Sequence, residues 1–180
     1  MSRYVQWSRI EHSERNRIGV TLLAGPIFLG LLPFIVAGIG PRLDRRLGLP
    51  RGRMAGTCRT IGGALTAAGY TLGGWSVYAQ LDRGRGTPLP LMPTQALLTD
   101  GPFRYCRNPM TLGAILAYLG IALAARTATG TAIVLALAAA LVAYLKRFEE
   151  PELAERFGDA YLSYRRTTPF IVPRLAAAPH

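Results

Sequence analysis

The chain has 180 residues, half of them hydrophobic, with 17% charged and a formal net charge of +11; that charged share is below the roughly 25% usual in soluble domains. Mean hydropathy is positive, and charge is missing from long stretches rather than spread evenly, which points to one compact membrane domain and away from an ordinary soluble one. The basic excess sits beside apolar segments and forms no nucleic-acid-binding motif, so lipid headgroups and topology account for it better than nucleic acid does.

Residues 1–17 are polar and charged, so no cleavable signal peptide is expected and the first apolar span directs insertion. That span covers about 19–39, carries no charge, and contains Pro26 and Pro33, which predict a kink. A basic loop with six arginines is expected over 40–59. The second span, about 60–81, is rich in small residues, with Gly69 and Gly73 in a small-xxx-small arrangement. This is either a close-packing helix face or a run of small residues with no specific partner.

Residues 82–107 form the longest polar interlude. Gly84, Gly86, Pro88, Pro90 and Pro93 make its first half a loop, and its second half carries a short apolar strip, Gln95-Ala96-Leu97-Leu98, before an Asp-Gly-Pro turn. The segment Gly101-Pro102-Phe103-Arg104-Tyr105-Cys106-Arg107-Asn108-Pro109-Met110 then runs straight into an apolar helix. Asn108 suits an N-cap and Pro109 the first helical position, so free backbone N–H groups face the membrane surface. Such a terminus either holds an anionic group or is an ordinary helix start at the headgroups.

Apolar spans of about 110–125 and 129–145 come next. The connector Arg126-Thr127-Ala128 is short enough to dictate an antiparallel hairpin. Lys146, Arg147, Glu149 and Glu150 come at once after it, and Leu153, Phe157, Tyr161 and Tyr164 then fall on one helical stripe, as in an interfacial helix. The tail from Thr168 is expected to be extended, and the last few residues disordered. Cys58 and Cys106 lack metal-ligand spacing, so no metal is expected.

The reading is an all-α polytopic helix bundle of about four spans. Both termini, the 82–108 loop and the C-terminal region then share one side, with fourteen Lys and Arg against seven on the other. Positive-inside reasoning makes that side cytoplasmic, although the six arginines of 40–59 fall opposite. The hairpin returns Glu149 to the level of Asn108. A Glu pair at a helix exit is commonly a solvated face; opposite a basic turn and a helix start it suits a zwitterionic ligand.

The order Gly101 to Met110, apolar hairpin, Glu149-Glu150, Leu153, Phe157-Gly158, Tyr161, Tyr164 and a Pro-containing tail resembles the isoprenylcysteine carboxyl methyltransferase family, which is related to membrane phospholipid and thiol methyltransferases. The resemblance covers about 84–174, as a catalytic core following a variable part over 1–60. It implies S-adenosylmethionine at a cytoplasmic-face site, with S-adenosylhomocysteine as product, in a bacterial-type inner membrane. Carried over, the cofactor residues are Gln95, Ala96, Leu97, Leu98, Phe103, Asn108, Pro109, Met110, Thr111, Glu149 and Glu150. Many members have His where Asn108 stands and Tyr where Thr111 stands. The position of an Arg that reads a substrate carboxylate in eukaryotic members is apolar here, leaving Lys146 or Arg147, with Arg104 and Arg107, as substrate contacts.

The implied reaction is methyl transfer to a lipid-like acceptor reaching the site from the bilayer. His12 and His180 lie near the termini and no other His exists, so no general base is evident. A carboxylate needs none, and neither does a thiolate, so carboxylate O-methylation or thiol S-methylation is favoured. The competing readings are a non-catalytic membrane subunit and an NADPH-dependent relative of the sterol-type reductases.

Overall fold

The computed structural model describes residues 13–50, 55–87 and 94–173. Readings that fall on His12, Arg51, Arg53, Pro88, Pro90, Pro93 and the tail from Arg174 lie outside these residues. The described chain is helical, with no strand. Its helices are α1 (Glu14–Arg46) and α2 (Ala55–Asp82), then a single 3-10 turn at Gly101–Arg104, then α3 (Pro109–Ala125), α4 (Ala128–Phe157) and α5 (Asp159–Thr167).

Of the four expected spans, two helices are long and apolar enough to cross a membrane, α1 and α4. α3 has 17 residues, about 25 Å of helix against a hydrocarbon core of about 30 Å. α2 has the length, 28 residues, but its glycines and threonines dilute its apolar character. α4 is about 45 Å long for its 30 residues. Its apolar run ends at Leu145, so the part from Lys146 onward extends beyond the membrane-spanning segment.

Two expectations are corrected by helix continuity. The loop expected over 40–59 is much shorter, because α1 continues to Arg46 and α2 begins at Ala55. Gly48, at φ +67°, closes α1 in the left-handed conformation that glycine permits. The C-terminal stripe is not one separate helix. Its first half completes α4, and Gly158, at φ +56°, breaks the chain before α5.

The prolines do not simply kink their helices. Wider π-helical turns occupy Ile27–Leu31, Ile35–Ile39 and Leu145–Glu149. In each, the residue after the turn donates its N–H five positions back, Leu32 to Ile27, Gly40 to Ile35 and Glu150 to Leu145. The next residue is each time a proline, at 33, 41 and 151. Proline has no N–H and its ring clashes with the carbonyl four residues earlier; a π turn absorbs that conflict.

By Cα proximity the chain falls into two compact units. One comprises Gly25–Thr71 and Gly113–Val142. Its core is Val36, Tyr118, Ala122 and Val134, with Leu32 and Leu119 against it. The π turn at Ile27–Leu31 uses Leu32 N–H for Ile27, and Pro33 has none to give, so the Phe28 carbonyl is free. Tyr118 Oη donates to it at 2.9 Å.

In the same unit α2 and α3 meet through small residues. A Cβ at Gly69 would stand 2.3 Å from Ala117 N, and one at Gly62 or at Gly120 would stand 2.6 Å from the other's carbonyl oxygen. Thr66 Oγ1 lies 3.4 Å from Ala117 O. Gly69 thus belongs to a packing face, but its expected partner is replaced. Gly73 has open space around it, and Gly62 takes its place. Asp44, 2% exposed, accepts the N–H groups of Ala128 (3.1 Å) and Thr129 (2.8 Å). It caps the start of α4, whose first N–H groups have no partners within the helix. The hairpin connector is as tight as expected, with Arg126 at φ +51°.

The other unit comprises residues 13–24, Leu72–Leu112 and the described residues from Ala143 on. Ala79, Leu98 and Phe103 form its buried cluster. Arg17, although charged, is buried and donates from Nη1 to Leu81 O at 3.1 Å, closing the carbonyl end of α2. The loop after α2 folds back on itself. Gly84 O accepts from Gln95 N at 2.7 Å and from Ala96 N at 3.3 Å, and Arg83 pairs with Asp100.

Candidate active site

The second unit holds a cleft open to solvent. Three pieces of chain build it. The C-terminal end of α2 and the strip after the loop contribute Gln80, Thr94, Leu97 and Leu98; the turn before α3 contributes Phe103, Arg107 and Asn108. The end of α4 contributes Leu145, Glu149, Glu150 and Leu153, and α5 contributes Tyr161 and Tyr164.

The turn is fixed by α5 and the extended strap beyond it. Gly101 adopts φ +55°, starting the 3-10 turn that buries Pro102 and Phe103. Tyr164 Oη donates to Phe103 O at 2.6 Å. The strap after Thr168 accepts from the turn in order. Arg107 N donates to Pro169 O (2.9 Å), and Asn108 N and Nδ2 both donate to Phe170 O (3.2 and 3.0 Å). The Phe170 ring lies beneath two cations, Lys146 Nζ at 5.0 Å and the Arg107 guanidinium at 5.7 Å. Asn108 opens α3 through its carbonyl, which accepts Leu112 N at 3.0 Å.

The two carboxylates differ. Glu150 Oε1 is 2.9 Å from Arg107 Nη2 and accepts from Tyr161 Oη at 3.3 Å. Glu149 makes no hydrogen bond or ion pair with any described residue. Burial, then the neighbouring Glu152 charge, raises its pKa to about 7 against the attraction of Arg156, with Glu150 raising it further. Arg107 is held against Glu150 through Nη2 only; its Nε and Nη1 are buried without a hydrogen-bond partner among the described residues, as is Gln80 Oε1. Buried polar groups normally have a hydrogen-bond partner, so these atoms are open to a ligand or to water.

Tyr161 and Tyr164 are pushed up by burial first, then by Glu150 and Cys106 respectively, so both remain neutral phenols. The Cys106 thiol, 1% exposed, is also raised by burial. It is a packing residue of the turn and no thiolate nucleophile.

Of the residues read from the sequence, the cleft unites Leu97, Leu98, Phe103, Arg107, Asn108, Glu149 and Glu150. Gln95, Ala96, Pro109, Met110 and Thr111 adjoin it in the chain without lining it; Pro109 is fully enclosed and Thr111 buried. Arg104 lies against the Tyr105 ring at 5.8 Å, Lys146 covers Phe170, and Arg147 is exposed, so these three are not brought to the cleft. Gln80 and Thr94 are additions that no local motif marks. Leu145, Leu153, Tyr161 and Tyr164 were visible only as apolar or stripe positions.

The described chain thus combines apolar helices with a cleft that brings acidic and basic side chains together. A family model described as phospholipid methyltransferase matches residues 57–160, more than half of the chain, and the chain belongs to that family. It is 39% identical over 83 residues to methanethiol S-methyltransferase 2 of Bradyrhizobium diazoefficiens, a match covering 46% of this chain and 31% of that protein. The chain thus spans about a third of the length of that relative. No solved structure matches. The likeness read from residues 101–110 and from Glu149-Glu150 is borne out at the level of the membrane methyltransferase family.

Proposed function

We propose that the chain binds S-adenosylmethionine in this cleft and transfers its methyl group to a thiol or carboxylate carried by a small apolar or lipid-like acceptor. The observation that supports this most is the pairing, in one cleft, of an unengaged carboxylate with a guanidinium whose Nε and Nη1 have no partner. A ligand bearing both an ammonium and a carboxylate meets both needs. Glu149 would hold the cationic groups and Arg107 the carboxylate, while Leu97, Leu98, Phe103 and Leu145 offer an apolar wall to the purine.

The cofactor, when bound, supplies a methyl group already activated on a sulfonium centre. The chain's part is to hold both reactants in line and exclude water. Glu150 fixes Arg107, Tyr161 fixes Glu150, and the strap after α5 fixes the turn. A carboxylate acceptor, or a thiol that has first given its proton to solvent and reacts as the thiolate, requires no proton acceptor among the side chains of the cleft. The thiol substrate in the name of the Bradyrhizobium protein favours S-methylation.

In the bilayer, all four long helices would enter the membrane, α3 at the short end of the crossing range. The termini and the cleft would face the cytoplasm, where fourteen of the 21 Lys and Arg then lie. Calorimetric titration of S-adenosylhomocysteine into the detergent-purified chain tests the reading. Micromolar binding by the wild type that Glu149→Ala abolishes is the expected result; a folded wild-type protein that binds nothing overturns it.

A further inference from the structure

Pro151 is exposed and does not line the cleft, yet its position decides which way the two acids point. In an uninterrupted α-helix, at about 100° per residue, Glu150 would stand about 140° around the axis from Leu145. Glu149 and Leu153 would lie at about 40° and 80°. No single cleft receives such a spread comfortably. The π turn at Leu145–Glu149 takes up one extra residue, which sets positions beyond it back by about 100°. Glu150 then stands about 40° from Leu145 and Leu153 about 20° on the other side. All four residues line the cleft together, as a narrow arc requires.

The same device recurs at three of the four prolines inside α1 and α4; the fourth, Pro26, precedes a π turn instead of following one. Each of the three π turns is followed by one residue and then by Pro33, Pro41 or Pro151. The cause is local to the proline. Without a π turn, the Pro151 ring would strike the Arg147 carbonyl, which would also lack a donor. With the turn, Glu150 N–H reaches Leu145 O and the conflict disappears.

We propose that Pro151 is a positioning residue of the methyl-transfer site: by enforcing the π turn it gathers Glu149 and Glu150 on one face, so that Glu150 meets Arg107 while Glu149 faces the ligand. The inference rests on the function proposed above. Replacing Pro151 with Ala restores the N–H and removes the clash, so α4 can run on as an α-helix; alanine is a strong helix former, and folding is not at risk.

The test compares the wild type with Pro151→Ala by titrating S-adenosylhomocysteine, and by following the melting temperature of the empty proteins against pH. Affinity should fall about tenfold or more, as for the loss of a charge-assisted contact, with no loss of stability at neutral pH. The groups around Glu149 are Glu150, Glu152 and Arg156 on its own helix and Arg107 and Tyr161 across the cleft. Rotation away from them should move the carboxyl titration seen in the melting curves from near neutrality toward the ordinary carboxylate range, which a merely structural role would not do. Equal affinity and an unmoved titration in Pro151→Ala overturn the proposal. If the wild type itself binds nothing, the functional reading fails, and the titration alone still decides whether Pro151 sets the orientation of Glu149.

Discussion

Arg107 Nη2 lies 2.9 Å from Glu150 Oε1, and the two side chains are only 10% and 16% exposed. This pair ties the basic turn before α3 to the acid pair at the end of α4, and Tyr161 completes it from α5. The pair leaves Arg107 with unengaged N–H groups and leaves Glu149 as the free acid of the cleft. Structure and proposed chemistry therefore divide between two adjacent glutamates: one is committed to the frame, the other is open to a ligand.

Arg107→Ala should strip a largely buried carboxylate of its counterion. Breaking such a pair from one side costs about 3 kcal/mol or more, and the variant should melt well below the wild type. Arg107→Ala with Glu150→Gln should recover part of that loss, because the buried charge goes too, while S-adenosylhomocysteine binding stays absent. A double variant as unstable as the single one would show that the pair does not carry the effect.

Tyr164→Phe isolates the anchoring of the turn. The Oη–Phe103 O bond is short and buried, and removing the donor leaves a carbonyl unsatisfied, at about 1–2 kcal/mol. The ring stays, so the cleft keeps its wall. The expected outcome is a lower melting temperature with ligand affinity reduced only a few-fold, read from parallel thermal and calorimetric titrations.

Much of this site was legible because it is local. The Gly101-Pro102 turn, the Asn108-Pro109 helix start and the Glu149-Glu150 exit each announce themselves within a few residues, and the hairpin forces the last two to one level. Three kinds of feature were hidden. Gln80 and Thr94 reach the cleft only through tertiary folding of the loop after α2. Asp44 reads as one acid among arginines until the α3–α4 turn supplies the N–H groups it accepts. The prolines read as kinks, whereas Pro33, Pro41 and Pro151 each follow a π turn, and at the first of these Tyr118 completes the freed Phe28 carbonyl from another helix.

The α2–α3 contact separates two glycines that look equivalent in sequence. Gly69→Ala would push a methyl to 2.3 Å from Ala117 N; backbone cannot yield as a side-chain tip does, so a loss of about 2–3 kcal/mol or more is expected. Gly73→Ala meets open space and should be neutral or stabilise α2 by about 0.5–1 kcal/mol through helix propensity. Melting temperatures of the two variants moving together, in either direction, would contradict the packing described.

The pH response of the site is set by Glu149. Its folded pKa of about 7 lies above the ordinary 4.5, so the folded chain holds this proton more tightly than the unfolded chain. Between those values the folded state binds more protons, and stability falls as pH rises, by a total on the order of 3 kcal/mol once pH passes 7. A cationic ligand group requires the ionised form, so its affinity should run the other way. It should weaken toward tenfold per pH unit below about 7 and flatten above it. Glu149→Gln should remove both slopes and raise the melting temperature of the empty protein at pH 8, where the wild type carries the uncompensated charge. S-adenosylmethionine titrations and melting curves from pH 5.5 to 8.5 measure both effects; an affinity that strengthens on acidification would assign the cationic group to another part of the cleft.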